Sequence, residues 1–331
     1  MNRKDDRMKD MILKVRNLKV HFPVKGEILP RVVGHVKAVD DVSFRIGYGE
    51  TLGLVGESGC GKTTTGRAMI RLIKAQAGQV LFEGKDILQL GKQDLNAVRK
   101  NIQMIFQDPF AALNPRMSIG DAIEEVLYIH NYGSKQARRK RAAELIETVE
   151  LNRAYLSRYP HELSGGQRQR IVLARALAVD PKLIICDEPV SALDVSIQAQ
   201  TVNLLEDLQK HFNIAYLFIS HDLSVVKHLS KRIAVMYLGK IVETADSEEL
   251  FAHPSHPYTR ALLDSVPSID PDMKKERVLL EGDMPSMTEQ GQGCRFHSRC
   301  PNVMERCYHE EPQTIDVGGG HAVDCHLYAV E

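Results

Sequence analysis

The chain has 331 residues, and Lys plus Arg equal Asp plus Glu at 43 each, so its formal charge is zero and no global basic surface points to nucleic acid. That length fits about two domains on a prior of ~150 residues each. The opening Met1-Asn2-Arg3-Lys4-Asp5-Asp6-Arg7 lacks the apolar stretch of a secretory signal and no apolar run approaches the ~18 residues of a membrane span, so a soluble, cytoplasmic chain is expected.

Residues 11 to 20 and Val39 to Ile46 alternate apolar and polar imperfectly, which predicts antiparallel strands. Between them Pro23, Gly26, Pro30 and Gly34 mark a loop. Thr51-Leu52-Gly53-Leu54-Val55 reads as a buried strand, and Arg67 to Ile73 has helical periodicity. Between those two lies Gly56-Glu57-Ser58-Gly59-Cys60-Gly61-Lys62-Thr63-Thr64. The spacing of Gly56, Gly61, Lys62 and Thr63 fits a phosphate-binding loop, whose N–H groups turn inward only where no Cβ obstructs them. Gly56, Ser58, Gly59, Cys60, Gly61, Lys62, Thr63 and Thr64 are therefore the expected contacts of a nucleoside triphosphate. Lys62 would reach the β- and γ-phosphates, Thr63 would ligate Mg²⁺, and the helix dipole would favour the anion. Phe22 has two readings, stacking on a nucleotide base or packing on an edge strand.

Further along, Gly78 to Glu83 predicts a strand and Asp94 to Gln103 a helix. Met104 to Pro109 is an apolar strand that ends at Gln107, whose amide suits Mg²⁺ or an attacking water. Residues 118 to 178 read mostly as helix, with Ser134 as a cap and Ala142, Leu145 and Val149 as an apolar stripe. The basic run Arg138 to Arg141 reads as a solvated helix face, with nucleic acid or anionic lipid as the alternative.

Leu163-Ser164-Gly165-Gly166-Gln167 precedes an Arg-rich helix, Arg168 to Ala178. Ser164 is a good N-cap and the glycines expose N–H groups of a helix start, which makes a second anion site. Leu183 to Cys186 is a buried strand that delivers Asp187 and Glu188 to its carboxyl end, where open parallel sheets bind ligands. Asp187 suits the water shell of Mg²⁺, and Glu188 a base or orienter for the attacking water. Ser191 to Asp194 opens the next helix, and Ile214 to Ile219 is a strand that ends at Ser220-His221-Asp222. His221 thus repeats the placement of Gln107 and Asp187.

Taken in order, the phosphate loop, Gln107, Leu163 to Gln167, Asp187-Glu188, Asp194 and His221 resemble the ATP-binding cassette of ABC transporters. The resemblance implies an ATPase using ATP and Mg²⁺, with Glu188, His221 and Gln107 in catalysis and Thr63, Gln107 and Asp187 around the metal. It also implies that two cassettes pair head to tail, so that Ser164, Gly165, Gly166, Gln167 and Asp194 act in trans on the partner's ATP. Three further stretches resemble the oligopeptide/dipeptide importer branch: Phe106 to Pro109 with Leu113-Asn114-Pro115-Arg116, Tyr159-Pro160-His161-Glu162, and His256 to Leu263. That branch implies peptide import, transmembrane permease subunits, a second cassette subunit, a substrate-binding protein, and a peripheral place on the cytoplasmic side of the cell membrane.

In the tail, Cys294, Cys300, Cys307 and Cys325 lie among Gly291, Gly293, Pro301, Pro312 and Gly318-Gly319-Gly320. Few periodic apolar residues occur there, so a metal staple is expected to fix it. Four thiolates suit a [4Fe-4S] cluster, which members resembling this branch carry there. Zinc with help from His297, His309, His321 or His326, or uncoordinated thiols, are the alternatives.

The expected fold is an α/β P-loop ATPase with a parallel core sheet, an antiparallel β subdomain, a helical subdomain and a metal-stapled extension. The domains would be 1–250, with the helical subdomain at about 110–178, and 251–331. A soluble cassette ATPase of DNA repair or iron–sulfur assembly is the runner-up, and a non-hydrolysing regulator is disfavoured by Glu188 and His221. No coiled coil interrupts residues 51 to 221, and His256 to Leu263 argues for the importer.

Overall fold

The computed structural model describes residues 11–25, 32–265, 285 and 292–329. The first half of the chain runs β1 (Met11–Lys25), β2 (Val32–Gly47), β3 (Thr51–Val55), α1 (Lys62–Met69), β4 (Ala77–Phe82), β5 (Lys85–Asp86), α2 (Lys92–Asn101), β6 (Ile102–Ile105), α3 (Ile119–Ile129), α4 (Lys135–Thr148) and α5 (Gly165–Leu177). It continues through β7 (Leu183–Asp187), α6 (Val195–Phe212), β8 (Ala215–Ser220), α7 (Leu223–Leu229), β9 (Arg232–Tyr237), β10 (Lys240–Asp246), α8 (Ser247–Ala252) and α9 (Pro257–Asp264). The tail adds α10 (Arg306–His309), β11 (Thr314–Gly318) and β12 (His321–Asp324). Among the described residues no helix is long and apolar enough to cross a membrane.

Two compact units emerge. The first gathers Ile46–Thr51 and Gln89–Ile219 with the residues up to Ile12. Its β6, β7 and β8 are parallel neighbours, with Ile105 opposite Cys186 and Asp187 opposite Ile219. Every residue of β7 and β8 is buried, as a parallel sheet covered on both faces requires, which is why those strands read as unbroken apolar runs. Helices α3, α4 and α5 pack on one another, and Ile123, Leu127, Ala142, Leu145 and Ile171 on them are buried. Ser134 caps α4 by accepting from the Ala137 N–H, and the stripe of Ala142, Leu145 and Val149 is buried as predicted.

The second unit gathers Leu13–Arg45, Leu52–Leu88 and Ser220–Glu331. One of its sheets has the order β2-β1-β4-β5, and β1 runs antiparallel to β4 from Leu13 opposite Phe82 to Arg16 opposite Gln79. The other has β3 parallel to β9, then β10 and β12 antiparallel in turn, with β11 closing a hairpin on β12.

Three expectations need correction. Pro23 and Gly34 belong to strands β1 and β2, while Gly26 and Pro30 lie outside the described residues. The helix after the phosphate loop stops at Met69 instead of Ile73, because Arg71 takes a left-handed φ of 56° and the Leu72 N–H turns back to the Arg67 carbonyl. The tail does have an anchor of its own: Glu243 of β10 stands opposite Val323 of β12, and Phe296 is buried against Tyr237, Tyr258 and His256. Sheet continuation and one aromatic plug anchor it, where too few periodic apolar residues for a core were expected.

Candidate nucleotide site

In the second unit, β3 ends at Val55 and the chain turns through the loop into α1. Two glycines are required there. Gly56 has φ 150° and a Cβ on it would lie 2.1 Å from the Met236 carbonyl oxygen, while Gly61 has φ 110° and a Cβ would lie 2.0 Å from that of Ala38. Any side chain at either place would push the loop off the neighbouring backbone. Lys62 is buried, and its Nζ donates to the carbonyls of Gly56 at 2.6 Å and Glu57 at 2.9 Å. The lysine therefore spans the loop from its helical end to its strand end. Cys60 is buried beside it, and burial pushes its thiol up, so it behaves as a small apolar filler.

Ser58, Gly59, Thr63 and Thr64 complete this turn at the start of α1. Phe22 stands exposed on β1 of the same unit, and His221 follows β8 at an exposed position immediately before α7. Asp222, next to it, caps α7 by accepting from the N–H groups of Ser224 and Val225.

The first unit brings Gln107 and Glu188 together, with Gln107 Nε2 donating to Glu188 Oε2 at 2.9 Å. Glu188 has a left-handed φ of 49°, its N–H donates to the Ile219 carbonyl at 2.9 Å, and its own carbonyl accepts from Ser191 Oγ at 3.1 Å. A non-glycine residue held there by bonds on both sides is stored strain at a strand end. Asp187, one residue earlier, is fully buried. Cys186 is also buried, and burial raises its thiol well above the ordinary range.

Ser164 and Gln167 form a reciprocal capping box at the start of α5: the Ser164 hydroxyl accepts from the Gln167 N–H, and Gln167 Oε1 accepts from the Ser164 N–H at 3.0 Å. Gln167 Nε2 also donates to the Tyr155 hydroxyl at 2.9 Å. Gly166 is required by packing, since a Cβ would fall 2.4 Å from Ile197 Cγ2, whereas Gly165 leaves ordinary contact with Leu193. Asp194 precedes α6 with extended backbone and makes no side-chain cap bond. The arginines of α5 have structural partners that sequence reasoning missed. Arg168 donates to the Pro160 carbonyl and lies 3.6 Å from the Phe110 ring centroid, and Arg170 bonds Glu150 and the Val149 carbonyl. The basic run on α4 is likewise paired within the chain: Arg138 sits over Tyr128, Arg139 beside Glu124, and Arg141 on Asp180.

The tail's four cysteines come from separate segments. The Cys294 N–H donates to the Cys307 carbonyl at 2.8 Å, and Gly293 is required there because a Cβ would lie 2.2 Å from that same oxygen. Burial, and then the neighbouring thiols of Cys307, Cys325 and Cys300, push Cys294 up to about 11, and burial raises Cys300 and Cys325 as well. The four thiols are neighbours, yet among the described residues no group of three or more His, Cys, Asp or Glu side chains stands at the separations that would hold a metal ion. The histidines weighed for zinc have other partners: His297 on the Cys294 carbonyl, His309 on Glu305, His321 on Glu243 and His326 on the Glu310 carbonyl.

Residues 39–191 match the family model described as ABC transporter, and residues 242–307 match that described as Oligopeptide/dipeptide transporter, C-terminal region. The oligopeptide transport ATP-binding protein AppF of Bacillus subtilis is 53% identical over 97% of this chain and 98% of its own length. Among solved structures, the ATP-binding cassette MJ0796 as a dimer bound to ADP and Pi matches with a TM-score of 0.63 at 28% identity, over 71% of this chain and 98% of that one. CbiO1 of Clostridium perfringens, part of the ABC transporter complex cbiONQ, matches with a TM-score of 0.64 at 25% identity, over 74% of this chain and 92% of that one. Phosphate loop, capping-box loop, paired carboxylate and glutamine, and matched tail thus belong to one lineage, and the chain is an ATP-binding subunit of the oligopeptide/dipeptide class of the ABC transporter family.

Proposed function

We propose that this chain hydrolyses ATP to power uptake of di- or oligopeptides through separate transmembrane permease subunits. In this reading it sits peripherally on the cytoplasmic face of the membrane and receives substrate through a partner substrate-binding protein. The observation that carries the reading is the combination of the loop from Gly56 to Thr64 with the tail match over residues 242–307. A cassette alone would serve any transporter, and AppF, named for oligopeptide transport, shares both parts.

By the family resemblance, Gly56 and Ser58 to Thr64 would hold the phosphates, Thr63, Gln107 and Asp187 would serve Mg²⁺, and Phe22 would stack on adenine. Glu188 would orient or deprotonate the attacking water, with Gln107 and His221 assisting. Held by Gln107 and by two backbone bonds, Glu188 needs little reorganisation when the water arrives. Ser164, Gly165, Gly166, Gln167 and Asp194 serve the ATP of a second cassette subunit. Contacts made only in the closed pair can drive closure, because moving a 1:99 population to 99:1 takes about 5.5 kcal/mol of differential affinity.

For the tail we propose that Cys294, Cys300, Cys307 and Cys325 hold a [4Fe-4S] cluster in the assembled protein. What supports this is the donor set, four neighbouring cysteines with the nearby histidines engaged elsewhere. Burial favours the neutral form of Cys294, Cys300 and Cys325, so a cationic centre is what would draw off their protons.

The transport reading is tested by deleting the chain's gene in its host and following uptake of labelled peptides. Restoration by the wild-type chain but not by Lys62→Ala is expected, with permease subunits co-purifying from membranes. Unchanged peptide uptake in the deletion strain would reject the substrate class.

A further inference from the structure

Two arginines lie between Cys294 and Cys300, and both side chains reach out of the tail. Arg299 forms a fork on Glu57, the second residue of the phosphate loop, with Nη1 at 2.8 Å from Oε2 and Nη2 at 3.1 Å from Oε1. The arginine side chain is only 6% exposed. Glu57 is held at two further points: its N–H donates to the Tyr258 hydroxyl at 2.9 Å, and its carbonyl accepts from Lys62 Nζ at 2.9 Å. One residue thus separates the tail's guanidinium from the lysine of the loop. Arg295 braces the back of the same loop by donating to the Asp40 carboxylate and the Leu238 carbonyl. From there the Asp40 N–H donates to the Gly239 carbonyl at 2.8 Å, and the Gly239 N–H to the Cys60 carbonyl at 2.8 Å.

We propose that Arg299 is a positioning residue for the phosphate-binding loop, acting through Glu57 to fix the path of Gly56-Glu57-Ser58 and the place of Lys62 Nζ. The tail segment from Cys294 to Cys300 thereby sets nucleotide affinity. This rests on the reading of Gly56 to Thr64 as the ATP site. A planar fork on a carboxylate fixes direction as well as distance, which a lysine ammonium does not.

The experiment titrates the full-length chain with a fluorescent N-methylanthraniloyl ATP, measures its dissociation rate, and records the ATP dependence of hydrolysis. The variants are Arg299→Gln, Arg299→Lys, Glu57→Gln, the double Glu57→Gln/Arg299→Gln, and Arg260→Gln as a tail control that leaves the fork intact. Arg299→Gln is expected to weaken nucleotide binding roughly 10- to 30-fold, the lower range of what a charge-assisted hydrogen bond supplies, mainly through faster dissociation. KM for ATP should rise by a similar factor while saturated turnover stays within about 2-fold, the pattern of lost uniform binding. The double variant should bind no more weakly than the weaker single one, since both remove the same contact, and Arg299→Lys should recover part of the loss. Wild-type affinity in Arg299→Gln, additive losses in the double variant, or an equal loss in Arg260→Gln would each overturn the proposal. If Arg299→Gln does not fold, wild-type affinity in both Glu57→Gln and Arg299→Lys overturns it. A wild-type chain that binds no nucleotide, unaltered by Lys62→Ala, would instead remove the ATP site itself.

Discussion

Gln107 Nε2 donates to Glu188 Oε2 at 2.9 Å, although 81 positions separate the two in the chain. They meet because β6 and β7 are parallel neighbours in register, Ile105 opposite Cys186, so the residues just past each strand end stand side by side. Glu188→Gln is therefore expected to lower steady-state hydrolysis by ~10²- to 10⁴-fold while ATP affinity stays within a few-fold, because the phosphate contacts are untouched. Phosphate release and equilibrium ATP titration check both halves. Near-normal turnover would reject Glu188 as base or orienter.

Ser164 and Gln167 cap each other, so their loop is preshaped before any ligand arrives. If it serves a second subunit's ATP, mixing Lys62→Ala with Ser164→Arg should create one intact composite site per mixed pair. ATPase activity should then exceed that of either variant alone, in a preparation where mixed pairs are shown by differential tagging. Activity that stays at the level of the separate variants contradicts action in trans.

His256 gives the protein an acid-side sensitivity with a defined sign. Its ring is buried, its Nδ1 accepts from the Tyr258 N–H at 3.0 Å, and burial first, then Arg260, lower its pKa from 6.5 to about 3. The unfolded chain takes up a proton below pH 6.5 that the folded chain refuses until about pH 3, so stability is full above 6.5 and falls across that window. Urea unfolding between pH 4 and 8 should show a flatter acid limb in His256→Asn than in the wild type. Parallel curves would show that another group controls the loss.

Glu243 is a buried carboxylate with three donors: the Ser255 N–H at 2.7 Å, the His256 N–H at 2.9 Å and His321 Nε2 at 2.7 Å. Glu243→Gln places an amide N–H against one of them, and a cost of about 2 kcal/mol is expected. Thermal unfolding should report it, together with faster hydrogen exchange at the His256 amide, which alone bonds the second carboxylate oxygen and would face the new NH2. An unchanged melting temperature would mean that the contact adds nothing net.

The proposed tail cluster has a direct readout. Protein purified without oxygen should be brown, contain iron and acid-labile sulfide, and lose both when Cys294, Cys300, Cys307 or Cys325 is replaced by Ser. A colourless anaerobic protein with stoichiometric zinc would reject the cluster. A metal-free protein with an ordered tail would reject both metals.

Local chemistry was legible and long-range convergence was not. The turn from Gly56 to Thr64 is readable because its glycine, lysine and threonine spacing falls within nine positions, and the Ser134 and Ser164 caps because a cap acts over three. The end of α1 escaped because Arg71 takes the left-handed conformation that a sequence reader looks for at glycine. The tail's own stretch shows no core because Phe296 stands alone among polar residues there, and its partners Tyr237 and Tyr258 lie far upstream. The fork of Arg299 on Glu57 spans 242 positions and leaves no periodic trace at either end.

The aromatic plug has an evolutionary corollary. Phe296 fills a wall made by Tyr237, Tyr258 and His256, and Tyr258 in turn holds the Glu57 N–H. A chimaera joined near residue 250 carries Phe296, Tyr258 and His256 together, so it should fold and bind nucleotide normally only where the cassette donor supplies a Tyr237 and a Glu57 to meet them.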